Sequence, residues 1–78
     1  MRFSHLECLV CTNGRLGFVH QADNDHVFLE CEECLTGYMD PANLAVTFRT
    51  EDLDASTSPA TSAQITSAGW DGYLSVNQ

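Results

Sequence analysis

A small β-rich domain, with a three-stranded antiparallel sheet, a short C-terminal helix and a staple besides its core, is the fold class this sequence predicts. Three observations predict it. The chain has only 78 residues, and a chain this short rarely gains more than ~3–5 kcal/mol from its core alone, so such domains usually carry a disulfide or metal staple. Its four cysteines fall into two Cys-x-x-Cys pairs. The apolar residues between and after those pairs alternate with a period of two, which marks strands and not helices.

The elements follow in order. Leu16, Phe18 and His20 alternate with Arg15, Gly17 and Val19, a period that suits a strand. The polar cluster Gln21-Ala22-Asp23-Asn24-Asp25 reads as a turn. His26-Val27-Phe28-Leu29-Glu30-Cys31 is then a second strand, antiparallel because the connection is short. Asp40-Pro41-Ala42-Asn43 is either a turn or a helix start with Asp40 as N-cap. Leu44, Val46 and Phe48 alternate with Ala45, Thr47 and Arg49 in a third strand. Ten of the thirteen Ser and Thr residues come from Thr47 onward, and residues 50–58 read as a polar, acidic linker. The chain therefore divides into a cysteine domain at 1–49, a linker at 50–58 and a tail at 59–78. In the tail, Thr61 and Gln64 fit a capping box, and Ile65 and Ala68 lie on one helix face. Gly69 is a C-terminal stop, and Trp70, Tyr73 and Leu74 follow it. So short a helix is not stable alone. It has to dock on the cysteine domain, on a second chain or on a partner.

The cysteines carry the chemistry. Cys8 and Cys11 are separated by nineteen residues from Cys31 and Cys34, within the C-x2-C-x15–20-C-x2-C spacing that signals zinc. Two residues between cysteines let both sulfurs of a tight turn point at one ion while backbone N–H groups donate to the thiolates. Gly14 and Gly37 each stand three residues after a pair, where a positive φ would let the chain leave the turn. A thioredoxin-like redox pair would need a βαβ context, which the pattern lacks. Two disulfides would need an oxidising compartment, and the first residues have no apolar stretch resembling a secretory signal. The expectation is a cytoplasmic protein holding Zn2+, with Fe the alternative that thiolates also select.

Residues 3–49, with the knuckles Cys8/Cys11 and Cys31/Cys34 at the heads of strand connections, resemble a zinc ribbon, which implies a three-stranded sheet around a structural ion. The knuckles are also similar to those of rubredoxins, which hold iron in the same four-sulfur cage. Leu9-Val10 and Glu32-Glu33 stand where such knuckles carry Pro or an aromatic. A four-thiolate site is closed to water and substrate, so His5, His20 and His26 are expected off the metal. No phosphate loop or nucleophile–base motif accompanies the cysteines. No enzyme activity is expected.

Charge bounds the partners. Three Arg, no Lys and eleven acidic residues give a net charge of -8. Phosphate-backbone affinity needs Lys and Arg clusters, so direct nucleic-acid binding is not expected. Nor is an anionic membrane surface, and no apolar run approaches the ~18–20 residues of a span. Glu30, Glu32 and Glu33 bracket Cys31, Asp23 and Asp25 mark the hairpin tip, and Glu51, Asp52 and Asp54 lie in the linker. Such a surface serves solubility, or it steers a basic protein into contact. The expected function is non-enzymatic binding of a basic protein by Glu32, Glu33, Asp23 and Asp25, with Trp70 as an aromatic anchor. In overall character the chain resembles the small acidic immunity proteins of bacteria, which inhibit basic toxin domains. The alternatives are an accessory zinc ribbon of the transcription or translation machinery, a rubredoxin-like iron electron carrier and a thiol-based switch that releases zinc on oxidation.

Overall fold

The computed structural model describes residues 2–50 and 56–75. Strands β1 (Phe3–Glu7), β2 (Arg15–Gln21), β3 (His26–Cys31), β4 (Thr36–Tyr38) and β5 (Thr47–Arg49) pair in that order, each antiparallel to the next. A sixth strand, β6 (Thr57–Pro59), joins β2 alongside the residues that β1 leaves open. The helix α1 (Ser62–Ser67) and a 3-10 turn (Asp71–Tyr73) complete the chain.

The central hairpin is where periodicity places it, with Leu16 opposite Cys31, Phe18 opposite Leu29 and Gln21 opposite His26. The sheet has six strands where the alternation predicts three, and the added strands have physical reasons. β1 is short and polar in part, and it carries an irregularity between Phe3 and Glu7. Ser4 offsets that irregularity: its fully buried hydroxyl donates to the Leu16 carbonyl at 2.8 Å and accepts from Leu6 N at 3.1 Å. β4 is only three residues long, too short to show a period. The expected third strand starts later than Leu44, at Thr47, because Asp40 and Asn43 fold the preceding residues into turns. Asp40 Oδ1 accepts from Ala42 N and Asn43 Oδ1 from Ala45 N. The middle of the expected linker, 51–55, with Glu51, Asp52 and Asp54, lies outside the described residues. Its last residues, Thr57 and Ser58, belong to β6, whose Pro59 is tolerated because the strand is an edge.

The core lies on one face of the hairpin. Leu16, Phe18, Val27, Leu29 and Cys31 pack with Cys8, Tyr38, Ala60 and Ile65, and Leu6, Leu44, Trp70, Tyr73 and Leu74 cover its margins. The helix therefore docks in cis. Its capping box is closed at both ends, with Gln64 N to Thr61 Oγ1 at 3.2 Å and Thr61 N to Gln64 Oε1 at 2.9 Å. Gly69 ends it with φ of 80°. Trp70 then lies half-buried, tilted against Phe18 at 6.4 Å between ring centroids. Backbone hydrogen bonds, including Ser75 N to Phe3 O at 3.0 Å, tie the last described residues to β1.

The hairpin is buried on both faces. Val19 and Phe28 lie on the second face and are also buried. Phe48 covers Phe28 edge-on at 5.3 Å. The cover depends on Gly37, the cross-strand partner of Phe48: a Cβ on Gly37 would lie inside the contact distance of the ring.

Candidate metal centre

Each knuckle grows from the end of a hairpin strand. The first follows β1, with Cys8 N donating to Gly14 O at 3.0 Å and Thr12 N to Cys8 O at 3.2 Å, so the chain turns back into β2. The second follows β3 and returns through β4. Because Leu16 pairs with Cys31, the register of the central hairpin brings the second knuckle beside the first.

All four sulfurs, of Cys8, Cys11, Cys31 and Cys34, lie within 4.8 Å of one another. Across the knuckles Cys8 Sγ is 3.6 Å from Cys34 Sγ, and Cys11 Sγ is 3.5 Å from Cys31 Sγ. A tetrahedron with ~2.3 Å metal–sulfur bonds has edges of about 3.8 Å. The cluster can therefore hold a metal ion. None of the three histidines belongs to it. His5 stacks on Tyr73, His20 Nε2 meets Asp25 Oδ1 at 2.6 Å, and His26 is exposed at the start of β3.

The surroundings suit thiolates. Val10 N donates to Cys8 Sγ at 3.4 Å, and Glu33 N and Cys34 N donate to Cys31 Sγ at 3.4 and 3.5 Å. Thr36 Oγ1 lies 3.1 Å from Cys34 Sγ. A residue with no motif to mark it completes the set. Tyr38 is fully buried, with its hydroxyl 3.1 Å from Cys8 Sγ, while Leu9 N donates to that hydroxyl at 3.2 Å. The phenol thus links the core to the first knuckle. Its signal in sequence is faint: a lone aromatic four residues beyond Cys34.

Burial and hydrogen bonding divide the sulfurs. Burial pushes the Cys8 thiol up, but donors from Tyr38, the Cys11 and Val10 backbone and Cys34 together outweigh it and bring Cys8 down to about 6. Cys31 is held up at about 12, chiefly by burial, which its two backbone donors do not overcome. The Thr36 hydroxyl leads in lowering Cys34. Burial, then the adjacent Cys8, raises Tyr38 to about 12, so the phenol keeps the proton it donates.

The knuckle glycines act differently from the sequence expectation. The positive φ values fall on Thr12 (60°) and Leu35 (61°), each directly after the second cysteine of its pair, and not on Gly14 or Gly37. Gly14 is needed for proximity instead, since a Cβ there would overlap Cys31 Sγ. Gly37 is needed for the close approach of the Phe48 ring.

The acidic residues singled out as partner-binding do not form one patch. Glu32 and Glu33 sit on the second knuckle, whereas Asp23 and Asp25 sit at the far end of β3, roughly 20 Å of strand away. Glu32 is also engaged within the chain, its Oε2 accepting from Arg15 N at 2.9 Å and Arg15 Nε at 3.4 Å. Glu33 is exposed, as is Asp23. Leu9, Val10 and Leu35, on the same two knuckles, are more than half exposed. No protein-family model, curated protein or solved structure matches the chain.

Proposed function

We propose that this protein is a non-enzymatic, zinc-stapled ribbon whose acidic surface binds a basic protein, in the manner of the small acidic immunity proteins it resembles in character. The observation that carries this reading is that a four-sulfur set leaves no ligand position for substrate. The remaining distinctive chemistry is on the surface, where a net charge of -8 is concentrated on a small chain. Zinc fits the donor set and the tetrahedral spacing. The knuckle end supports the binding role best. Four thiolates around a divalent ion remain net negative, Glu33 stands exposed beside them, and Leu9, Val10 and Leu35 add apolar contact area. Complementary charge of this kind speeds association and selects the sign of the partner. Trp70 contributes from its half-buried position on Phe18.

The test is capture from host lysate on the immobilised, zinc-loaded protein, eluted with rising salt and repeated with Glu33→Lys. A basic protein retained in equimolar amount, released by salt and bound more slowly by the variant supports the reading. Retention of nothing, or of a partner indifferent to salt and to the charge reversal, contradicts it.

A further inference from the structure

The geometry points to a second staple built from the same four residues: two disulfides, Cys8–Cys34 and Cys11–Cys31, that take the place of the metal ion when the centre is oxidised. The inference rests on the metal reading only for its reduced state. Each knuckle presents one sulfur inward and one outward. Cys8 and Cys31 are 1% and 0% exposed, whereas Cys11 is half-buried and Cys34 is exposed. Each outward sulfur stands against the inward sulfur of the other knuckle, at 3.6 Å for Cys34 and Cys8 and at 3.5 Å for Cys11 and Cys31. A disulfide of ~2.05 Å needs each pair to close by about 1.5 Å.

Cys34 is the entry point. It borders an open cleft of about 220 Å3 lined by Leu35, Thr36 and Arg49, so a small peroxide reaches its sulfur while Tyr38 and the core cover Cys8. The Cys34 thiolate attacks hydrogen peroxide, breaking the O–O bond to give a sulfenic acid and hydroxide. The Cys8 thiolate then attacks the sulfenic sulfur, forming the S–S bond and expelling a second hydroxide. Two thiolates are oxidised and one peroxide is reduced. A second peroxide does the same at Cys11 and Cys31. The ion, stripped of its donors, leaves to solvent.

The fate of the fold depends on the pairing. Disulfides within each Cys-x-x-Cys would leave the two knuckles unconnected. Disulfides across them join the same two chain segments that the ion joins, so the oxidised, metal-free protein keeps its sheet.

The experiment treats the metal-loaded full chain with hydrogen peroxide, one molecule per expected disulfide. Released metal is followed with a chromophoric chelator, and the fold by far-ultraviolet circular dichroism. Linkages are mapped by mass spectrometry after non-reducing digestion, with chymotrypsin cutting after Leu9 and a Glu-specific protease after Glu32 or Glu33 to separate the cysteines of each pair. The expected result is full metal release, Cys8–Cys34 and Cys11–Cys31 peptides, and a retained β spectrum. Cys34→Ser should slow release by about tenfold or more. Linkages within the pairs, a mixture of pairings or an unfolded oxidised product overturn the inference. Linkages within the pairs in a protein that carries one metal ion per chain remove this inference and leave the metal reading standing. Cross-knuckle linkages in a chain that never held metal do the reverse.

Discussion

Gly14 and Tyr38 decide whether the four cysteines act as one site. A Cβ at position 14 would overlap Cys31 Sγ. Gly14→Ala should therefore displace a ligand and cost about 1–3 kcal/mol, or roughly 10–100-fold in metal affinity. Gly37→Ala meets the Phe48 ring instead, so it should lower thermal stability while leaving metal affinity within error. Competition titrations on both variants separate the two roles; equal affinity losses would contradict the assignment. Tyr38→Phe keeps the buried ring but removes the hydroxyl that meets Cys8 and Leu9. Loss of such a supporting hydrogen bond typically costs 10–100-fold in metal affinity, and a fold unchanged by circular dichroism would confirm that the effect is local. The clustering of the four cysteines was legible from spacing, since two pairs nineteen residues apart leave little else to expect. Tyr38 was not legible, because thirty residues separate it from the sulfur it supports. The positive φ values were also hidden, since Thr12 and Leu35 are residue types that seldom adopt them.

Among the elements, the C-terminal helix bears most on stability. Ile65 is fully buried in the core shared with β2 and β3. Ile65→Ala should cost about 2–5 kcal/mol, and Thr61→Ala, which removes one half of the capping box, about 1 kcal/mol. Chemical denaturation measures both; a neutral Ile65→Ala would mean that the helix docks elsewhere in solution. The hairpin was readable because β2 and β3 are long enough to show alternation, and the capping box because both of its residues are local. β1, β4 and β6 escaped the pattern. β4 and β6 have three residues each, and β1 carries a buried serine where a hydrophobic residue is expected. Phe28 is buried on the second face because Phe48, twenty residues further on, covers it.

Across the protein, the proposed metal binding couples folding to protonation. Cys31 is held up at about 12 and so carries its proton at neutral pH, whereas Cys8, down at about 6, has lost its own. Metal uptake at neutral pH therefore releases the Cys31 proton, and affinity falls as pH is lowered, by about tenfold per pH unit for each thiol that must ionise. The fall should steepen below about 6, where Cys8 also becomes protonated. Titrations on both sides of that value check the change of slope, and an affinity independent of pH would count against thiolate ligation. The fold class and the exclusion of nucleic-acid chemistry as an expectation came from composition and spacing. The division of the acidic residues between two ends of the hairpin did not, because charge in a sequence carries no position until the strands are paired.

The proposed staple is one ion, bound by Cys8, Cys11, Cys31 and Cys34, that holds this small domain together. It is tested most directly by measuring metal content and circular dichroism together while a chelator is added under reducing conditions. A structural zinc can supply ~10–16 kcal/mol of apparent free energy, which exceeds the ~3–5 kcal/mol expected from a core of this size. The expected result is one zinc per chain and loss of the β spectrum in step with loss of the metal. A chain that retains its spectrum and melting temperature after complete removal of the metal, with all four thiols reduced, would contradict it.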